Sequence, residues 1–78
     1  SSIIAVTGAA GYIGSWVVKT LLDAGYRVRG TVRNLKDAGK VSHLKELFPE
    51  LELFEADLLV ESSFDECFKG CAAVFHTA

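Results

Sequence analysis

Thr7-Gly8-Ala9-Ala10-Gly11-Tyr12-Ile13-Gly14 sets a glycine at every third position, and the segments flanking it decide the fold. Before it, Ile3 to Thr7 is a short β-branched apolar run, the pattern of a buried strand. After it, Tyr12 to Ala24 has helical spacing. Ile13, Val17 and Leu21 share one stripe, with Val18 and Leu22 beside them. Gly25 stands where a helix C′ glycine belongs. The stretch therefore turns the chain out of a strand and into a helix.

The same alternation continues. Tyr26 to Val32 reads as a second strand. Asn34 to Lys40 reads as a loop or a ragged helix start, after which Val41, Leu44, Leu47 and Phe48 repeat at helical spacing up to Pro49. Leu51 to Glu55 reads as a third strand. Ser63 and Glu66 have capping-box spacing, with Phe64, Cys67 and Phe68 as the apolar face of a short helix that Gly70 ends. Ala72 to His76 is a fourth strand. The order β-α-β-α-β-α-β predicts an α/β fold, a partial Rossmann fold. Its doubly wound parallel sheet has about four strands in order 3-2-1-4, with helices on both faces.

Within that frame each glycine has a physical task. Gly8 permits the sharp turn. Gly11 lets a pyrophosphate approach the backbone, where a Cβ would obstruct it. Gly14 lets the helix pack closely on the strand. The helix N-terminus then directs unpaired N–H groups and partial positive charge at the phosphates. The candidate cofactor-binding residues of this loop are Gly8, Ala10, Gly11, Tyr12, Ile13 and Gly14. The competing reading is a glycine-rich turn with no ligand, and the strand-loop-helix-strand context weighs against it.

The G-x-x-G-x-x-G spacing resembles the extended short-chain dehydrogenase/reductase family. Val6 to Trp16 and Gly25 to Arg33 resemble the dihydroflavonol reductase and cinnamoyl-CoA reductase group. So do Ala56-Asp57-Leu58 and Gly70-Cys71-Ala72-Ala73-Val74-Phe75-His76-Thr77-Ala78. The resemblance implies a parent oxidoreductase that moves hydride between NADP(H) and an aldehyde, ketone or alcohol. Nucleotide-sugar epimerases and hydroxysteroid dehydrogenases share the glycine spacing, and a non-catalytic NADP(H) sensor would share the fold.

The end of the second strand bears on the cofactor. NAD sites usually carry an acidic side chain roughly 20 residues past the loop. Here the strand ends Thr31-Val32-Arg33-Asn34, and no carboxylate follows until Asp37. Arg33 offers a planar donor fork suited to a 2′-phosphate, which favours NADP(H) over NAD(H). A solvated strand-end arginine is the alternative. The family resemblance adds Lys40 near the same phosphate, although a surface helix lysine reads equally well. It also sets Asp57 and Leu58 beside the adenine, against an Asp that merely caps the next segment. Thr77 and Ala78 would lie where the inner ribose and nicotinamide pass.

Other residues read as structural. Cys67 and Cys71 are expected to be core thiols rather than metal ligands, His76 a packed or hydrogen-bonded histidine, and Trp16 a packing residue. The family's Tyr-x-x-x-Lys pair is missing: Trp16 follows Tyr12 by four, and Gly30 follows Tyr26 by four. No residue here is a catalytic candidate. Residues 1–78 are therefore expected to be the N-terminal part of an NAD(P)-binding domain, inactive alone, with catalytic and substrate-binding portions elsewhere.

Composition bounds the rest. A chain of 78 residues is one domain at most, and a domain of that size buries only about 60% of its unfolded surface. The net charge of −2 gives no reason to expect nucleic acid or an anionic membrane as partner. No apolar run approaches the roughly 20 residues that span a bilayer. The chain lacks an initiator Met and a signal-like start, so a trimmed start and a cytoplasmic setting are expected. Surfaces left bare by the missing portions would favour self-association.

Overall fold

The computed structural model describes residues 2–36, 38–57 and 59–77. Strand β1 (Ile3–Thr7) leads through the glycine loop into α1 (Tyr12–Asp23). Then come β2 (Arg27–Val32), α2 (Ala38–Leu47), β3 (Glu52–Glu55), a 3-10 turn (Glu61–Phe64), α3 (Asp65–Phe68) and β4 (Ala73–His76). All three strand pairings are parallel, and the sheet order is β3-β2-β1-β4, as the alternation of elements predicts.

Alternation along the strands sorts side chains onto two faces. On one, Val6, Val28 and Val32 pack with Val18 of α1 and with Val41 and Leu44 of α2. Ala9 and Leu51 complete this core. The other face presents Ala5, Thr7, Arg29 and Thr31, and α3 lies against it through the buried Cys67. The fully buried Cys67 and half-buried Phe64 and Phe68 bear out the apolar face read for that helix.

Helix α1 ends as Gly25 requires. Gly25 has φ +90°; its N–H donates to Leu22 O at 3.0 Å, and Tyr26 N–H donates to Leu21 O at 3.1 Å. This is the Schellman pattern, and it spends the Tyr26 amide, so β2 begins at Arg27. Leu51 likewise turns back on Phe48 O and puts its side chain in the core, leaving β3 to start at Glu52. The second helix begins at Ala38, inside the segment read as loop or ragged start.

Three expectations are corrected. Of the apolar stripe read for α1 only Ile13 departs: it is exposed, while Val17, Leu21 and Leu22 pack against the core around buried Val18, and the helix meets the sheet most closely at Gly14. Trp16 is 62% exposed rather than packed; it borders a surface groove with Leu47 and Phe48. Ser63 forms no capping box. It lies inside the 3-10 turn, and no side chain caps α3; its hydroxyl bonds back to Asp57 and Val60.

Candidate functional site

At the C-terminal ends of β1, β2 and β3 the chain encloses an open cavity of about 400 Å³. Thr7 and Gly8 supply one wall, Thr31 and Arg33 the next, and Ala56 and Asp57 a third. Leu59 and Phe64 close the side nearest the 3-10 turn. Such a crevice beyond the strand ends is where open parallel α/β sheets take their ligands.

The glycine loop is fastened to β2. Gly8 turns with φ +69°. Its N–H donates to Thr31 Oγ1 at 3.2 Å, and Ala9 N–H donates to Thr31 O at 3.0 Å. Ala9 is fully buried above Gly30, where a Cβ would come within 2.8 Å of the Ala9 Cβ. From the other side, Thr77 Oγ1 donates to Thr7 O at 2.6 Å and Thr77 N–H donates to Thr7 Oγ1 at 3.3 Å. The Thr77 side chain is thus turned onto the loop. His76 is exposed, with Nδ1 3.3 Å from Thr7 Oγ1 and its ring edge-on to Phe68, as expected for a hydrogen-bonded histidine.

Gly11 and Gly14 are glycines for different reasons. A Cβ at Gly14 would strike the Gly8 carbonyl oxygen and lie 2.8 Å from its carbon and 2.9 Å from Thr77 Oγ1. Internal packing alone explains it. A Cβ at Gly11 would meet only Gly8 O, at an ordinary 3.4 Å, and Gly11 has φ −75°, open to any residue. Neither packing nor backbone conformation demands glycine there.

Gly11 is the N-cap of α1, with no side chain capping the helix and no acid in its first turn. The first-turn amides of Tyr12, Ile13 and Gly14 have no acceptor within the helix. Ala10, Gly11, Tyr12 and Ile13 are all exposed. This end is open to an anion.

Arg33 is exposed at the cavity and forms no ion pair among the described residues. Lys40 sits in the first turn of α2, exposed, and is not among the residues lining the cavity. Asp57 does local work as well: its Oδ1 accepts from Leu59 N–H at 2.9 Å. That bond closes a local turn two residues on; the 3-10 turn that follows has Val60 at its N-cap and no side-chain cap, so the capping alternative is not realised. Leu58 and Ala78, the remaining candidates, lie outside the described residues.

Sequence reasoning missed three supports of this site: Thr31, Gly30 and Ser63. Their partners are distant in sequence, or six residues away where only a three-residue spacing was sought. Cys67 is fully buried, as expected of a core thiol, and Cys71 Sγ contacts Cys67 O at 3.1 Å. Among the described residues no three His, Cys, Asp or Glu side chains gather as a metal site. No helix there is long and apolar enough to cross a membrane.

Known proteins share this arrangement. A dihydroflavonol 4-reductase of Callistephus chinensis is 57% identical over 79 residues, covering 96% of this chain and 21% of its own length. Cinnamoyl-CoA reductase CAD2 of Medicago truncatula is 50% identical, covering 99% of this chain and 24% of its own. The yeast methylglyoxal/isovaleraldehyde reductase Gre2, solved with NADPH, superposes with a TM-score of 0.81 at 31% identity, over 97% of this chain and 24% of that one. The chain spans about a fifth to a quarter of these relatives. The resemblance to dihydroflavonol and cinnamoyl-CoA reductases read from the motifs is borne out. With residues 1–78 all matched, the chain belongs to the NmrA-like family.

Proposed function

We propose that residues 1–78 form the NADP(H)-binding N-terminal part of a reductase that converts an aldehyde or ketone to an alcohol, or the reverse. The observation that carries this reading is Gly11. It is a glycine that the chain's own packing does not require, at an uncapped helix N-terminus beside a cavity flanked by Arg33 and Asp57. The relatives' reductase names and the NADPH held by yeast Gre2 support it.

In this reading the exposed amides at the start of α1 hold the pyrophosphate. The Arg33 guanidinium grips the 2′-phosphate, and Lys40 adds positive charge on the same side. Asp57 faces the adenine amine, Leu58 lies beside it, and Thr77 and Ala78 border the path to the nicotinamide. The bound cofactor supplies the hydride; these residues bind and orient it. None of them is a catalytic acid or nucleophile, so the 78-residue chain alone has no turnover, and the carbonyl substrate is held by other parts of the parent enzyme. Nucleic acid and membrane have no place in this reading. Free thiols at Cys67 and Cys71 suit a reducing, cytoplasmic setting. Exposed Ala73, Phe75 and His76 on β4 suit self-association of the chain.

Calorimetric titration of the 78-residue chain with NADPH and NADH is the test. NADPH should bind more tightly. Arg33→Ala should weaken NADPH binding by about tenfold or more, the scale of a lost charge-assisted pair, and leave NADH nearly unchanged. An equal fall for both, or none, would overturn the assignment.

A further inference from the structure

The hydroxyl of Ser63 lies outside the cavity wall, yet two residues that form that wall depend on it. Ser63 Oγ accepts the N–H of Asp57 at 2.9 Å. It also lies 2.6 Å from Val60 O and 3.0 Å from Asp57 O, either of which can take its proton. Val60 N–H returns to Asp57 O at 2.9 Å. The 3-10 turn is thereby tied to the backbone of Asp57, and Phe64, the next residue, closes the cavity from the same turn.

Asp57 is held at its side chain too. Leu59 N–H occupies Oδ1 at 2.9 Å. Among the described residues no hydrogen bond engages Oδ2, which leaves one carboxylate oxygen for a donor in the cavity. With backbone and one oxygen both fixed, the direction of the other is set before any ligand arrives, and such preorganisation raises affinity by removing an ordering cost.

We infer that Ser63 is a positioning residue for adenine recognition: it holds Asp57 so that the carboxylate accepts from the exocyclic amine of the base. This deepens the NADP(H) reading and rests on it.

The probes are NADPH, its deaminated analogue carrying hypoxanthine in place of adenine, and NADH, titrated into the 78-residue chain. The analogue puts a carbonyl where the amine stood, so an aimed carboxylate rejects it. The unsubstituted chain should prefer NADPH over the analogue by about tenfold, the scale of one hydrogen bond to a charged group. Ser63→Ala should bring that ratio close to one, and Ser63→Thr, which keeps the hydroxyl, should restore most of it. The preference for NADPH over NADH should survive Ser63→Ala, because Arg33 carries it. In an Asp57→Ala background, Ser63→Ala should change the base preference no further.

A purely structural Ser63 would weaken all three nucleotides together, and that result overturns the inference. Full base discrimination in Ser63→Ala overturns it as well. If the unsubstituted chain binds no NADPH, the nucleotide reading fails and takes this inference with it. If NADPH binds and Asp57→Ala leaves the base preference intact, the inference fails while the NADP(H) reading stands.

Discussion

On the sheet face covered by α1 and α2, Val6, Val28 and Val32 meet Val18, Val41 and Leu44. On the face covered by α3, the same strands present Thr7, Arg29 and Thr31, nearly all of it shielded from solvent. The first face is dry and non-directional; burial of apolar area holds it. The second is held by aimed groups. Thr31 and Thr7 fasten the glycine loop and β4 at the strand ends. Arg29 donates to Lys69 O at 2.7 Å and to Cys67 O at 3.3 Å, tying down the C-terminal end of α3. The difference separates two duties: one face supplies stability, and the other spends part of it to hold loop and turn where the cavity needs them.

The heaviest blow to that comparison falls on the dry face. Leu44 is 2% exposed at its centre. Leu44→Ala should cost about 2–5 kcal/mol, as much as a single core of this size supplies. Urea unfolding followed by far-UV circular dichroism should show the cooperative transition lost or shifted far toward zero denaturant. A midpoint unchanged from the parent would mean that the apolar core is not what holds the sheet.

A smaller effect is expected on the polar face. Arg29→Met keeps the stem over Phe54, where the guanidinium carbon now sits 5.7 Å from the ring centroid, and removes the donors to both carbonyls. One part-buried carbonyl, Cys67 O, and one exposed carbonyl, Lys69 O, then lose a donor. Arg29 itself is imperfectly satisfied, however: its buried Nε has no hydrogen bond, and Glu52 Oε2, at 3.8 Å, is an ion-pair partner too distant to accept one. Relief of that charge offsets part of the loss, leaving about 1–2 kcal/mol. Arg27→Met, which removes only the exposed pair with Glu52 at 3.0 Å, should cost under about 1 kcal/mol. Equal unfolding midpoints for the two variants would erase the distinction between an anchored and a solvated arginine.

The two faces also differ in how far the sequence discloses them. Periodicity exposes apolar residues on strands and helices, so the dry face, the strand order and the turn through Gly8, Gly14 and Gly25 could all be read before any coordinates. The polar face could not. Arg29 reads as one more strand arginine, because nothing local says that α3 ends against it. Gly30 owes its identity to Ala9, 21 positions earlier in the sequence. Ser63 and Glu66 match a capping pattern, but a rule that looks three residues ahead cannot see a partner six residues behind. Arg33 was legible from its place at the end of the second strand, whereas Asp57 was marked by the family resemblance; both line the cavity.

The mildest test leaves the neutral protein untouched. Cys67 is buried on the polar face, and that burial, followed by the neighbouring Cys71, raises its thiol from 9.0 to about 11, with Arg29 opposing and Glu52 adding to the rise. A folded value above the ordinary one means that the native state holds this proton more tightly than the unfolded chain does. The contribution to stability is complete below pH 9 and drains away as pH climbs from 9 toward 11. Cys67→Ala, which trades the thiol for a smaller apolar group, should therefore cost about 1 kcal/mol or less at pH 7. Above pH 9 it should lose stability less steeply than the parent. Unfolding midpoints measured at pH 7, 9 and 10.5 give both slopes; parallel slopes would show that the thiol is not shut away between α3 and the sheet, and that this face is wetter than the dry core it is being set against.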